Sequence, residues 1–180
     1  MRIFVAIEIS ENHIVNSIKE FQKKINIDAK PIEAKNLHFT LQFLGEISEH
    51  TIQKIIQALH TIEFSSFSVT LKGIGAFPKP KFPRVIWIGT DEKGGDMLIQ
   101  LSKKVEKVLE PLGFFPDKPF KPHITVFRIK KKIGNITKEL ENQKIGDFGM
   151  QMISNIKLKK SELTSSGPIC SDLVEIQAQK

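Results

Sequence analysis

The sequence predicts an α+β fold, and its apolar pattern and its length are the observations that indicate it. Apolar residues alternate with polar ones in some segments and recur at helical spacing in others, and the two kinds of segment follow one another along the chain. The length of 180 residues suits one domain, or two small lobes that share a core. We therefore expect residues 1–180 to form a single folded unit.

Four segments carry the apolar stripe of an amphipathic helix. The first follows Ser10, which has the side chain of an N-cap, and the second opens at Ser48. The third ends at Gly113, a residue suited to terminate a helix, and the fourth has the weakest stripe. The predicted helices are residues 11–26, 48–60, 96–112 and 133–144.

Runs of β-branched and aromatic residues predict the strands. Between two of these runs, three prolines in residues 77–83 indicate a stiff loop. Near the C-terminus, a turn at residues 165–168 separates the two strands of a predicted hairpin. The predicted strands are residues 2–9, 37–44, 66–76 and 84–90, a strand around His123, and the hairpin strands 147–163 and 171–178.

One short motif occurs twice, each time inside an apolar run: a histidine two residues before a threonine. His38 and Thr40 form the first copy, and His123 and Thr125 form the second. Because side chains alternate along a strand, each histidine shares a face with its threonine. The two halves of the chain have similar element orders, so we expect two lobes about a pseudo-twofold axis, with the histidines facing each other across a groove. An imidazole beside a hydroxyl suits acid–base chemistry on a phosphodiester.

The composition narrows the class of partner. The net charge of +7 favours polyanions, because a basic surface raises their local concentration. No apolar run approaches the roughly 20 residues of a membrane span, and the first residues lack the cleavage pattern of a secretory signal. The single cysteine, Cys170, has no second thiol with which to form a disulfide or a thiolate metal cluster. We expect a cytoplasmic monomer that uses no metal and no cofactor.

Four segments of the chain resemble one branch of the two-histidine phosphoesterases, the RNA 2′,3′-cyclic phosphodiesterases, also called 2′-5′ RNA ligases. The segments are RIFVAIEI at 2–9, NLHFTLQFLGE at 36–46, PRVIWIG at 83–89 and FKPHITVFR at 120–128. The resemblance implies a bilobal fold with two antiparallel sheets around a cleft and helices on the outside. It further implies metal-independent cleavage of 2′,3′-cyclic phosphates on RNA ends or small cyclic nucleotides to 2′-phosphates, with reversible 2′-5′ ligation of RNA ends.

The chemistry assigns roles to the residues of both motifs. His38 and His123 are the expected acid and base, and our hypothesis makes His38 the base. Thr40 and Thr125 can donate hydrogen bonds to the non-bridging phosphate oxygens. The resemblance adds Arg128 as a phosphate-binding residue, although strict alternation places it opposite His123 unless the strand bulges near Phe127.

Other predictions concern the surroundings of this site. Alternation places Gln42 on the face of His38, where members of the family often carry a basic residue. Phe77, Phe82 and Phe120 are candidates for stacking on a base. Two alternatives stay open: a non-catalytic RNA-binding module that uses a basic cleft, and a metallohydrolase with histidine ligands. The latter requires a third ligand, and the sequence has no His-x-His or HExxH spacing.

Overall fold

The computed structural model describes residues 1–143 and 147–180. Its helices are α1 (Asn12–Lys24), α2 (Glu49–Leu59), α3 (Glu92–Leu109) and α4 (Thr137–Glu141). Its strands are β1 (Arg2–Glu8), β2 (Lys30–Pro31), β3 (His38–Glu46), β4 (Phe67–Phe77), β5 (Val85–Thr90), β6 (Ile124–Arg128), β7 (Gly149–Ile153), β8 (Asn155–Thr164) and β9 (Gly167–Gln177).

The strands of the described residues form one curled antiparallel sheet with the order β7-β4-β5-β6-β3-β1-β8-β9, and β2 pairs with β6. Four strands on each side of the centre make up a lobe, and the lobes join where β3 meets β6. At this junction the register contains one pair, Phe39 opposite Ile124. The predicted α+β fold is confirmed, and the two expected sheets are the two halves of this single sheet.

One face of the sheet is covered by the apolar stripes of the helices. Ile18 on α1, Ile55 on α2 and Val105 on α3 are fully buried and belong to one hydrophobic cluster with the strand residues Val5 and Ile88. Burying such a side chain contributes roughly 1.5–3 kcal/mol through removal of apolar surface from water. The helices therefore cover this face and leave the other face of the sheet available for polar side chains. No helix of the described residues has the length and apolar character that a membrane crossing requires.

The helix ends differ from the predictions in three places. Ser10 is not the cap of α1: the cap position is taken by Glu11, whose side chain makes no capping hydrogen bond, and the backbone N–H of Ser10 donates to the side chain of Gln151. Ser48 caps α2 as predicted, by accepting a hydrogen bond from Thr51. Helix α3 begins four residues earlier than residue 96, because Asp91 caps it. The weak fourth helix is shortened to α4, and its predicted last residue, 144, lies outside the described residues.

The predicted strand 147–163 is wrong as a single element. It is divided at Ser154 into β7, which pairs with β4 in one lobe, and β8, which pairs with β1 and β9 in the other. Burial alternates within each piece but changes phase across Ser154, since Gln151 and Ile153 are buried in β7 and Ile156 and Leu158 are buried in β8. The two pieces therefore differ both in their pairing partners and in the phase of their alternation.

Candidate active site

The junction between the lobes places the two motifs side by side. Phe39 and Ile124, the central residues of the motifs, are opposite each other and have no exposed surface. Continuing this antiparallel register places His38 beside Thr125, and Thr40 beside His123. These four side chains lie on the face opposite the core, because alternate residues of a strand point to opposite faces. The pairing of Phe39 with Ile124 therefore relates the two motifs by a local twofold axis.

Both imidazole rings are held in the same way. In each ring Nδ1 donates to the backbone carbonyl two residues earlier: His38 to Asn36 at 2.7 Å and His123 to Lys121 at 2.6 Å. A carbonyl oxygen can only accept, so Nδ1 carries the hydrogen in both rings. Each Nε2 is thereby left available for a ligand in the cleft.

An aromatic ring supports each histidine. The centroid of Phe4 is 5.2 Å from that of His38, and Phe77 meets His123 edge-on at the same centroid distance. Phe77 also packs on Trp87, with ring centroids 5.4 Å apart. The aromatic residue proposed for base stacking at position 77 therefore lies against the imidazole of His123.

The other two stacking candidates have different surroundings. Phe82 is an exposed residue of the proline-rich loop, and the Lys79 ammonium lies 5.4 Å from the centre of its ring. Phe120 is partly buried and packs against the hydrophobic core. Of the three candidates, Phe82 presents the most open aromatic surface.

The electrostatic environment favours neutral imidazoles. Burial lowers the pKa of His38, and Lys159 and Arg128 lower it further, while the bond to Asn36 and the charge of Glu8 act in the opposite direction. Burial also lowers the pKa of His123, with a smaller contribution from Lys121 that the bond to the Lys121 carbonyl opposes. Both rings are therefore available as proton acceptors when the cleft is empty.

A β-bulge brings Arg128 to the cleft. In the pairing of β5 with β6, Trp87 faces Thr125 and Ile86 faces Phe127, so Val126 is an extra residue. Val126 and Phe127 are both buried, and alternation resumes one position out of step. Arg128 thus shares the exposed face of Thr125, close enough for its charge to lower the pKa of His38. The strand therefore has the bulge near Phe127 that the sequence analysis required for Arg128 to share a face with His123.

A matching bulge in the first motif overturns the prediction for Gln42. Ala6 faces Thr40 and Val5 faces Gln42, so Leu41 is the extra residue. Gln42 consequently points into the core, where it is 3% exposed. Neither atom of its side-chain amide has a hydrogen-bond partner among the described residues. Gln42 therefore does not share the face of His38. The prediction assumed strict alternation along β3, which the extra residue Leu41 interrupts.

The same bulge places Phe43 on the cleft face, where sequence reasoning missed it. Phe43 follows Thr40 by three positions, as Arg128 follows Thr125, and 57% of its surface is exposed. The two bulges make the motifs equivalent over six positions, with a phenylalanine at the end of one and an arginine at the end of the other. A comparison of the spacings HxTxxF and HxTxxR in the sequence would have found it.

An open cavity of about 720 Å³ lies at the N-terminal end of α3. Its walls include Trp87 and Pro122, the residue before His123, and the acidic side chains of Glu92 and Asp96. Trp87 lies directly over Gly75, where an added Cβ would be 2.2 Å from the indole ring. The missing side chain at Gly75 therefore lets the indole lie flat on the sheet beside the motif.

No group of three or more His, Cys, Asp or Glu side chains with the arrangement of metal ligands occurs among residues 1–143 and 147–180. The two motifs place two imidazoles and two hydroxyls on one face of the sheet, and the bulge in β6 adds the guanidinium of Arg128 to that face. This set can move protons and bind anionic oxygen atoms.

Comparison with known proteins identifies the class. The model of the AKAP7 2′5′ RNA ligase-like domain family matches residues 2–167. The RNA 2′,3′-cyclic phosphodiesterase of Archaeoglobus fulgidus is 38% identical over 175 residues, which cover 96% of this chain and 98% of that protein. The chain therefore belongs to the 2′-5′ RNA ligase-like family of the two-histidine phosphoesterases, as its motifs predicted.

Solved structures agree with this assignment. A Thermus thermophilus protein superposes with a TM-score of 0.80 at 28% identity, covering 98% of this chain and 97% of its own. The apo form of Escherichia coli LigT has the same fold, with a TM-score of 0.79 at 24% identity over 99% of this chain and 98% of its own. With several relatives at 31–39% identity named as cyclic phosphodiesterases, the prediction that the chain is an enzyme of this type is confirmed.

Proposed function

We propose that this protein opens 2′,3′-cyclic phosphates at RNA ends to give 2′-phosphates, and that it reversibly joins RNA ends through 2′-5′ linkages when the 5′-hydroxyl of a second RNA takes the place of water. The observation that carries the proposal is the pair of histidines, each fixed through Nδ1 and each with Nε2 available on the same face. Opening the ring requires one group that accepts a proton and one that donates a proton, and two such imidazoles supply both. RNA is also the partner that the charge of +7 favours.

The proposed reaction has balanced proton transfers. Nε2 of His38 takes a proton from water as the water oxygen bonds to phosphorus. The bond from phosphorus to the ribose 3′-oxygen breaks, and Nε2 of His123 delivers a proton to that oxygen. The product keeps its phosphate on the 2′-oxygen. The enzyme is restored when His38 gives its added proton to water and His123 takes a proton from water.

The assignment of base and acid follows from the surroundings of each ring. His38 is subject to the positive charges of Lys159 and Arg128, which disfavour its imidazolium form. The hydrogen bond of His123 lies in a more exposed position than that of His38. A bound anionic phosphate favours the imidazolium form of an adjacent histidine, and the more accessible ring gains its proton more readily.

The remaining cleft residues bind the phosphate and the nucleoside. Thr40 and Thr125 donate hydrogen bonds to the two non-bridging oxygens, where negative charge increases in the transition state. Arg128 neutralises part of this charge. The exposed ring of Phe43 offers a surface on which a base stacks.

The test uses a short RNA that ends in a 2′,3′-cyclic phosphate, in the presence of EDTA. The unsubstituted protein is compared with His38→Ala and His123→Ala, and the product isomer is identified. We expect conversion to the 2′-phosphate, reduced about 100-fold or more in each variant by loss of a proton-transfer group. His60→Ala, a histidine at the end of α2, is the matched control and keeps full activity.

Other outcomes separate the alternatives. RNA that binds without turnover would favour the non-catalytic module, and activity lost to the chelator would favour the metallohydrolase. The base assignment is tested with a substrate whose leaving group needs no proton. Such a substrate restores activity to the variant that lacks the acid, which we expect to be His123→Ala. Cytoplasmic location and monomeric state stay predictions.

A further inference from the structure

Four charged side chains form a closed network across β1, β8 and β9, which begins on the strand next to His38. Lys157 binds Glu8 at 2.9 Å and Asp172 at 2.8 Å, and Lys159 binds Asp172 at 2.7 Å and also binds Glu8. We call Glu8, Lys157, Lys159 and Asp172 the charged ring. Each lysine bridges both carboxylates, so the ring is electrically neutral.

The charged ring lies on the cleft face of the sheet. Ile3, Val5 and Ile7 of β1 belong to the core, so the alternate residue Glu8 points to the other face. Glu8 is the register partner of His38, and directly opposed side chains of neighbouring antiparallel strands have Cβ atoms about 4.5–5.5 Å apart. A carboxylate at this position is within reach of the imidazole of His38.

Both lysines bind this carboxylate from β8, the strand that lies on the other side of β1 from β3. Lys159 faces Phe4 across the strand pair, and its side chain is only 5% exposed. Burial raises the pKa of Glu8, but its hydrogen bonds from Lys159 and Lys157 outweigh this effect and keep the pKa below its ordinary value. Burial of each lysine is likewise outweighed by its bonds to the carboxylates, so the pKa of both lysines is raised. The ring stays fully charged at neutral pH.

We propose that the charged ring is a positioning device for His38. Lys157 and Lys159 engage the carboxylate of Glu8, so His38 keeps its single bond from Nδ1 to Asn36 and a free, neutral Nε2. A Glu8 carboxylate released from the lysines pairs with the imidazolium form of His38 and makes it a poorer base near neutral pH. The inference rests on the proposed function for the role of His38, and it concerns residues that touch neither substrate nor reacting atoms.

The charges that face His38 determine the sign of each test. Glu8 from β1, Lys159 from β8 and Arg128 from β6 act on the imidazole of His38, and His123 lies across the junction. Lys157 and Asp172 complete the charged ring. Removing a lysine charge leaves the ring with a net charge of −1, and removing the Glu8 charge leaves it with +1. The two changes therefore shift the titration of His38 in opposite directions.

The experiment follows the titration of His38 by NMR, with its imidazole signal assigned by its loss in His38→Gln. We expect Lys159→Met to raise the midpoint and Glu8→Gln to lower it, each by about half to one pH unit. The double variant Glu8→Gln/Lys159→Met restores a neutral ring and returns the midpoint towards that of the unsubstituted protein. If the ring had a purely structural role, the double variant would instead depart further from the unsubstituted protein in its His38 midpoint than either single variant.

Lys160→Met is the matched control, because it removes a lysine from the next position of β8, on the opposite face, where Lys160 pairs with Glu162. Shifts of the same sign in both single variants, or shifts no larger than that of the control, overturn the inference. The acid limb of kcat/KM for the cyclic phosphate provides an independent readout. If the His38 titrations shift as expected but neither the unsubstituted protein nor any variant turns over the cyclic phosphate, the inference is supported and the proposed function is overturned. Turnover in the unsubstituted protein together with unshifted titrations of His38 supports the proposed function and overturns the inference.

Discussion

At the scale of single residues, two inserted positions decide which side chains reach the cleft. Leu41 and Val126 are the extra residues of the two bulges, and each reverses the alternation that follows its threonine. As a result Phe43 and Arg128 face the cleft, and Gln42 turns inward. The shared bulge makes the two motifs equivalent beyond the histidine and threonine.

Phe43→Ala tests the role of the exposed ring in substrate binding. Because a base that stacks on an aromatic side chain gains about 1–3 kcal/mol, we expect KM for the RNA substrate to rise about tenfold with kcat nearly unchanged. Leu163→Ala removes a similarly exposed apolar side chain from the end of β8 and is the control. An unchanged KM would exclude stacking on Phe43.

Gln42 is expected to destabilise the protein, because its buried amide lacks hydrogen-bond partners among the described residues. Gln42→Leu should raise the free energy of unfolding by about 1–2 kcal/mol, measured in urea. Gln151 is the matched control: it is 2% exposed, but it binds the backbone of Ser10 and Glu8. Gln151→Leu should lower the free energy of unfolding by about 2 kcal/mol or more. Equal effects of the two substitutions would contradict this explanation.

At the scale of elements, the sequence located the strands and helices better than their ends and partners. The strand at 84–90 and the helix at 11–26 are present within two residues of the predicted bounds, because each has a strong apolar period. The start of α3 was missed because the prediction rested on an apolar stripe that begins at Leu98, and Gly94 and Gly95 have no side chains to extend that stripe. In the structure these glycines lie within the helix, where an added Cβ on Gly94 would be 3.0 Å from the backbone of Val69.

Asp91 should stabilise α3 through its cap. Its carboxylate accepts hydrogen bonds from the N–H groups of Gly94 at 2.9 Å and Thr70 at 2.8 Å. Asp91→Ala is therefore expected to cost about 1–2 kcal/mol in urea unfolding at pH 7, while Asp91→Asn keeps most of the stability because an amide oxygen also accepts.

The same cap predicts a dependence on pH. Burial raises the pKa of Asp91, but its backbone hydrogen bonds outweigh this and hold the pKa below its ordinary value. A carboxyl with a lowered pKa in the folded state contributes stability above its ordinary pKa and loses it as pH falls. The difference in unfolding free energy between the unsubstituted protein and Asp91→Ala should therefore shrink as pH falls below about 4. A difference that is constant with pH would rule out the charged cap.

At the scale of the whole molecule, the lobes are interlocked. Helix α1 follows β1 of one lobe but packs on the other, where Phe21 meets Phe127 and Phe148 edge-on. Gln151 of β7 binds the backbone at the end of β1, which again connects the two lobes. The cleft is therefore built on a shared core, since buried residues of both lobes belong to one hydrophobic cluster.

Interlocked lobes should unfold together. The single tryptophan, Trp87, lies in β5 of one lobe, and the single cysteine, Cys170, lies in β9 of the other, where its partly exposed thiol is a site for a fluorescent label. We expect the urea transitions reported by Trp87 and by the labelled Cys170 to coincide. Two separated midpoints would show that the lobes unfold independently, and a circular dichroism transition of the labelled protein that matches the unlabelled one is the control.

The sequence by itself determined the α+β class, the motif residues and the family, because these depend on local period and on side chains at fixed spacing. Only the tertiary structure decided that the motifs adjoin through Phe39 and Ile124, that Phe43 and Arg128 face the cleft, and that the charged ring lies beside His38. Bulges, strand partners and the division at Ser154 arise from pairing between segments far apart in the chain. An alternating pattern of apolar and polar residues is the same whichever strand pairs with it, so the pattern does not identify the partner strand.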